Sequence, residues 1–199
     1  MMKIMIKCLE NAKYFIETGL YLGYASYFVA KNFNNIKCYS CEINSNFYEK
    51  ANDNIGILDN LKTELCESPN ALYKLSEYYG NNIFNEYTLF WIDAHWGNDY
   101  CPDPLKDEIN YITEKFKKFT IFIDDFVIFY DNRFTNDNFT IESIIPHINN
   151  KENVKIYMPC YDSNHHDCNN INDYSQQPVG YCIITTENID TYDYLKQIM

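Results

Sequence analysis

The chain has 199 residues, is 46% hydrophobic and 17% aromatic, and carries a formal net charge of −12. That length can bury one good core, and the apolar and aromatic content excludes a disordered chain. The acidic balance works against nucleic-acid phosphate or an anionic membrane as partner, since no basic run exceeds Lys117-Lys118.

The apolar run at the N-terminus is too short for a signal peptide, and nothing approaches the length of a membrane span, so a cytoplasmic protein is expected. Eight cysteines (Cys8, Cys38, Cys41, Cys66, Cys101, Cys160, Cys168 and Cys182) are then expected as thiols rather than disulfides. Cys38 and Cys41 have metal-pair spacing, but within one strand they point to opposite faces, so they are read as buried thiols. No repeat or Pro/Gly-rich boundary divides the sequence. A single domain over residues 1–199 is expected, with residues 1–13 as a short N-terminal arm or helix.

In chain order, the first strand falls at 14–18, ending in Glu17-Thr18, and Gly19 and Gly23 punctuate the turn into a helix at about 22–32. Strand, glycine turn and helix form the first unit of a nucleotide-type α/β fold, where the helix N-terminus offers free N–H groups to an anion. The spacing is G-x-x-x-G, which does not meet the dinucleotide pattern G-x-G-x-x-G. A second strand at about 36–42 ends in Glu42, near the offset at which a carboxylate grips a ribose diol. A helix follows from Asn46 to Asn54, with Phe47, Ala51 and Asn54 on one side.

A weak third strand at 62–66 leads to Ser68-Pro69, read as helix cap and first helical residue. Leu72, Leu75 and Tyr79 then recur at core spacing. Tyr87 to Asp93 is a continuous apolar strand ending in a carboxylate, as a buried parallel strand reads. A helix after Pro104 carries Leu105, Ile109, Ile112 and Phe116; the strand at 119–123 then ends in Asp124-Asp125. A shorter helix at 141–148 precedes strands near 154–158 and 180–186, which flank a polar insertion at 161–177. The alternation predicts a doubly wound α/β fold whose mostly parallel sheet is closed by an antiparallel hairpin.

In such a sheet Glu17, Glu42, Asp93, Asp124 and Asp125 gather on the C-terminal edge, where ligands bind. Five carboxylates repel one another unless they hold a hydroxyl, a helix end or a cation, and Asp93, Asp124 and Asp125 could offer hard oxygen ligands to Mg²⁺ or another divalent cation. The alternative for each is a helix cap or a solvated loop carboxylate.

Four segments, Ile16-Glu17-Thr18-Gly19-Leu20-Tyr21-Leu22-Gly23-Tyr24, Cys41-Glu42-Ile43-Asn44, Ile92-Asp93-Ala94-His95-Trp96 and Phe122-Ile123-Asp124-Asp125-Phe126, resemble class I S-adenosylmethionine (SAM)-dependent methyltransferases. They are most similar to the metal-dependent catechol-type O-methyltransferases and their sugar-modifying relatives. The resemblance spans residues 14–130 and implies a seven-stranded sheet with an antiparallel last strand. It places Glu17, Gly19, Tyr21, Gly23 and Ser26 around the methionine part of SAM, Glu42 on the ribose, Ser68 near the adenine, and Asp93, Asp124 and Asp125 as metal ligands.

Asp125 stands where that family has an amide, and Gly97 and Asn98 occupy the place of its lysine base, which leaves His95 as the candidate base and Asp99 as second choice. An ordinary hydrogen-bonded role for His95 is the alternative. The short arm implies an open site and a bulky acceptor, such as a sugar within a glycan. The insertion, with Cys160, His165, His166 and Cys168, reads as a polar loop near the acceptor site, a zinc site being the alternative. Rival functions are a non-catalytic SAM-fold partner subunit, an arginase-type metallohydrolase using Asp93-Ala94-His95, and a nicotinamide-dependent oxidoreductase. The expected partner is a hydroxyl acceptor, with homodimerisation left open.

Overall fold

The computed structural model describes residues 1–94, 104–126, 139–159, 180–189 and 195–199. In chain order the elements are α1 (Met2–Leu9), β1 (Tyr14–Thr18), α2 (Tyr24–Asn32), β2 (Lys37–Glu42), α3 (Ser45–Ile55) and β3 (Leu61–Leu65). These are followed by α4 (Ser68–Tyr73), α5 (Leu75–Tyr79), β4 (Thr88–Ile92), α6 (Leu105–Lys115), β5 (Phe119–Ile123), α7 (Ile141–Ile144), β6 (Lys155–Pro159), β7 (Cys182–Thr185) and β8 (Leu195–Gln197). The sheet order is β3-β2-β1-β4-β5-β7-β6-β8. The pairs among β1 to β5 are parallel, and β7 runs antiparallel to both β5 and β6.

The doubly wound architecture agrees with the sequence pattern, with one correction: the sheet has eight strands, because β8 pairs antiparallel with β6. This strand escapes pattern reading because it is three residues long and buries only Leu195.

Each face of the sheet carries its own core. One gathers Ile16, Cys41, Phe90, Ile92, Ile121 and Ile123 under α4 to α7; the other gathers Phe15, Cys38, Leu89 and Phe122 under α1 and α2. Cys38 and Cys41 therefore do belong to opposite faces, as free thiols. Strands β1, β4 and β5 are buried at every position, which explains why apolar residues dominate their sequences.

Local chemistry sets the helix ends. Asn44 caps α3 by accepting the amides of Asn46 and Phe47 at 2.9 and 3.3 Å. Helix α6 has Asp107 and Glu108 in its first turn and Lys115 in its last, matching the helix dipole. Two boundaries and one helix face differ from expectation. Glu67, not Ser68, is the N-cap of α4, so Ser68 is already helical. The pattern through Leu72 and Tyr79 splits at Lys74 into α4 and α5. On α3 the core residues are Ala51 and Ile55, while Asn54 is exposed.

The leading residues form a true core helix. Ile4, Met5, Cys8 and Leu9 of α1 are buried against the second core, Leu9 completely. Leu9→Ala should therefore destabilise the protein by about 2–5 kcal/mol in denaturant unfolding. A loss well under about 1 kcal/mol, the size of an ordinary surface change, would show that the helix is a loose arm.

Candidate cofactor site

The strand order reverses direction between β1 and β4, the switch point at which open α/β sheets bind ligands. There the chain leaves β1 through a loop in which Gly19, Tyr21 and Gly23 all have left-handed backbone, with φ of 87°, 49° and 81°. A Cβ on Gly19 would lie 2.3 Å from the Asp93 carbonyl oxygen, so only glycine lets β1 and β4 close at this edge. Gly23 likewise leaves room for Ile55 of α3, whose Cδ1 would be 2.7 Å from an added Cβ. Tyr21 accepts the same backbone strain with a side chain, which sits 55% exposed with its ring edge-on to Phe47 at 4.8 Å.

Glu42 ends β2 and holds this loop. Its Oε2 accepts the Tyr21 amide and its Oε1 the Asn44 amide, both at 2.9 Å. A carboxylate has about four acceptor positions, so capacity for ribose hydroxyls remains. The amides of Gly19 and Leu20 both reach the Cys41 carbonyl, at 3.1 and 2.9 Å, which presses the loop onto β2.

Glu17 and Ser26 lie inside the protein. Glu17 is 2% exposed, and its Oε2 accepts hydrogen bonds from Ser26 Oγ at 2.5 Å and Ser40 Oγ at 2.6 Å. Burial pushes the Glu17 carboxyl up to about 7; the two serine hydroxyls work against that shift, and the Glu42 charge adds to it.

Asp93 follows β4 and is pushed up to about 8, first by burial, then by Asp124, Asp125 and Glu17, with a hydrogen bond from the Trp91 side chain opposing. The structure thus brings Asp93 into electrostatic contact with both acids at the end of β5. Asp125 has left-handed backbone, φ 52°, and Asp124 is tied to β4 through its amide and the Ile92 carbonyl at 3.3 Å. Among the described residues, no three His, Cys, Asp or Glu side chains are grouped so as to hold a metal ion. His95 and Asp99 lie outside the described residues, as do Cys160, the 161–177 insertion and its His165, His166 and Cys168.

Several contributors carry no motif signal. Ser40 matters only because the parallel register sets it opposite Glu17. Ser68 differs, having been expected near the adenine: its Oγ, like Thr18 Oγ1, is buried without a hydrogen-bond partner, a feature that fits a hydroxyl awaiting a ligand or water. Ile43 and Leu65, 56% and 46% exposed, put apolar surface just past the acid of β2 and at the end of β3. An apolar residue directly after a strand-ending acid was the one available hint. Glycine cradle, ribose-type acid, apolar flank and unpartnered hydroxyls together fit an adenosine-bearing cofactor.

No protein-family model matches the chain, and no curated protein does. Solved structures do. The O-methyltransferase TomG of Streptomyces achromogenes, involved in tomaymycin synthesis and solved with SAM, aligns over 94% of this chain and 78% of its own at TM-score 0.60 and 11% identity. A Klebsiella pneumoniae protein assigned as an O-methyltransferase aligns over 93% and 77% at TM-score 0.61 and 13% identity. A third, from Nostoc punctiforme and assigned likewise, aligns over 92% of this chain at TM-score 0.59 and 11% identity; the chain spans only 54% of that protein. At such identities the likeness is one of fold. The chain has the Rossmann-like fold of class I SAM-dependent methyltransferases.

The buried acid makes a measurable prediction. A carboxyl raised from 4.5 to about 7 on folding favours the native state at low pH and loses that contribution as pH rises through about 7. Asp93 acts in the same direction. Glu17→Gln should remove the Glu17 share, so its stability should fall less than the parent's between pH 5 and 8, by roughly 3 kcal/mol at most. Parallel stability profiles for the two proteins would show that Glu17 is ionised throughout.

Proposed function

We propose that this protein is a SAM-dependent O-methyltransferase acting on a hydroxyl of a small molecule or sugar. The observation that carries this reading is the β1–β4 switch point, where Gly19 packs on the Asp93 backbone and Glu42 holds the Tyr21 amide beside open apolar surface. Glu42 binds the ribose diol, Ile43 and Leu65 flank the adenine, and Ser68 Oγ takes a hydrogen bond at the adenine end. The loop from Gly19 to Gly23 and the first amides of α2, which lack a side-chain cap, receive the amino-acid end. When bound, SAM supplies an electrophilic methyl on a sulfonium, and the protein's task is to hold an acceptor oxygen in line with it.

Metal assistance is the finer part of the proposal. Asp93, Asp124 and Asp125 supply hard oxygen donors, which suit Mg²⁺, and as they stand the side chains must draw closer to share one ion. A bound divalent cation would lower the pKa of an acceptor hydroxyl. His95 is the proposed base for its proton, and a sugar or glycan hydroxyl is the proposed acceptor.

Calorimetric titration with S-adenosylhomocysteine (SAH) tests the cofactor assignment. Glu42→Ala should weaken binding by about 1–3 kcal/mol, the range for a hydrogen bond to a charged group; unchanged affinity would remove Glu42 from the ribose. Once an acceptor is found by screening hydroxyl compounds for methyl uptake, chelation should abolish turnover and leave SAH affinity intact. Full turnover in chelator would reduce the reading to metal-free methyl transfer.

A further inference from the structure

We infer that Glu17 and Ser26 touch no ligand and instead act as positioning residues: one carboxylate oxygen, shared by Ser26 and Ser40, aims the N-terminal end of α2 at the amino-acid part of the cofactor. This rests on the SAM reading above and assigns the mechanics of one end of that site.

The geometry converges on a single atom. Glu17 of β1 and Ser40 of β2 are register partners on adjacent parallel strands, and Ser26 is the third residue of α2. Both serine hydroxyls donate to Glu17 Oε2, at 2.5 and 2.6 Å, and all three side chains are buried. Two hydroxyls donating to the same buried oxygen fix its position relative to both partners. Two strands and a helix are therefore pinned together within three residues of the cofactor loop.

That pin matters because the other holds on this end of α2 act on the loop before it: the Gly23 amide donates to the Leu20 carbonyl at 2.8 Å and Asn54 Nδ2 to the Leu22 carbonyl at 3.2 Å. Its N-cap, Gly23, has no side chain with which to cap the first amides of the helix. Only Ser26, Val29 and Ala30 of the helix are buried, and Ser26 alone lies in the first turn. The apolar contacts thus anchor the middle of the helix, while Ser26 fixes its beginning. The two serines are not equivalent: Ser26 carries the helix end, whereas Ser40 steadies the carboxylate from within the sheet.

The test compares SAH with 5′-methylthioadenosine, which keeps the adenosine and sulfur but lacks the amino-acid group, on the full-length chain. Ser26→Ala should weaken SAH about tenfold and methylthioadenosine less than about twofold, the size expected for one hydrogen bond acting at one end. Ser40→Ala should cost similar stability but less than about threefold in SAH affinity, since α2 stays attached. Glu17→Gln keeps an acceptor oxygen for both serines and should bind SAH within about threefold of the parent, whereas Glu17→Ala should resemble Ser26→Ala. Equal weakening of both ligands by Ser26→Ala would overturn the positioning role in favour of a purely structural one. A loss in Glu17→Gln as large as in Glu17→Ala would overturn it in favour of direct contact by the charge. If the parent protein bound methylthioadenosine and SAH equally well, α2 would have no part in recognition; if it bound neither, the SAM reading itself would fail.

Discussion

The contact on which the site depends is the one between Gly19 and the backbone of Asp93. Two parallel strands can close at their C-terminal ends only if no side chain stands between them, and a Cβ on Gly19 would lie 2.3 Å from the Asp93 oxygen. Because β1 and β4 meet there, the loop after β1 is forced into left-handed backbone, folds down on the Cys41 carbonyl, and comes under Glu42. One missing methyl group thus lets the loop after β1 sit between the Asp93 backbone and the Glu42 carboxylate.

The same closeness concentrates charge. Glu17, Glu42, Asp93, Asp124 and Asp125 stand at the ends of four strands, and the structure meets their repulsion in different ways. Glu42 spends its charge on two backbone amides. Glu17 is buried and soothed by two hydroxyls, at the cost of a carboxyl near neutrality. Asp93, beside two more acids, rises further still. Burial and crowding thus hold two of the five acids, Glu17 and Asp93, above the usual carboxylate range.

Much of the architecture was legible because burial on both faces leaves an unmistakable record: Phe119 to Ile123 and Thr88 to Ile92 can only be interior parallel strands. The strand-ending acids and turn glycines were legible for a similar reason, since few residues tolerate those positions. Helix α1 and strand β8 were harder, being short segments whose amphipathic patterns carry too few residues to separate core from periphery.

The sequence by itself determined the alternation of strands and helices and which carboxylates stand at the strand ends. Those follow from periodicity and backbone chemistry, which are local. Only the tertiary structure decided what each carboxylate does. Glu17 and Glu42 read alike as strand-ending acids, yet one is turned inward onto Ser26 and Ser40 while the other faces the loop. The distinction comes from strand register and sheet face, which pair residues 9, 21 and 23 positions apart and which no local pattern encodes.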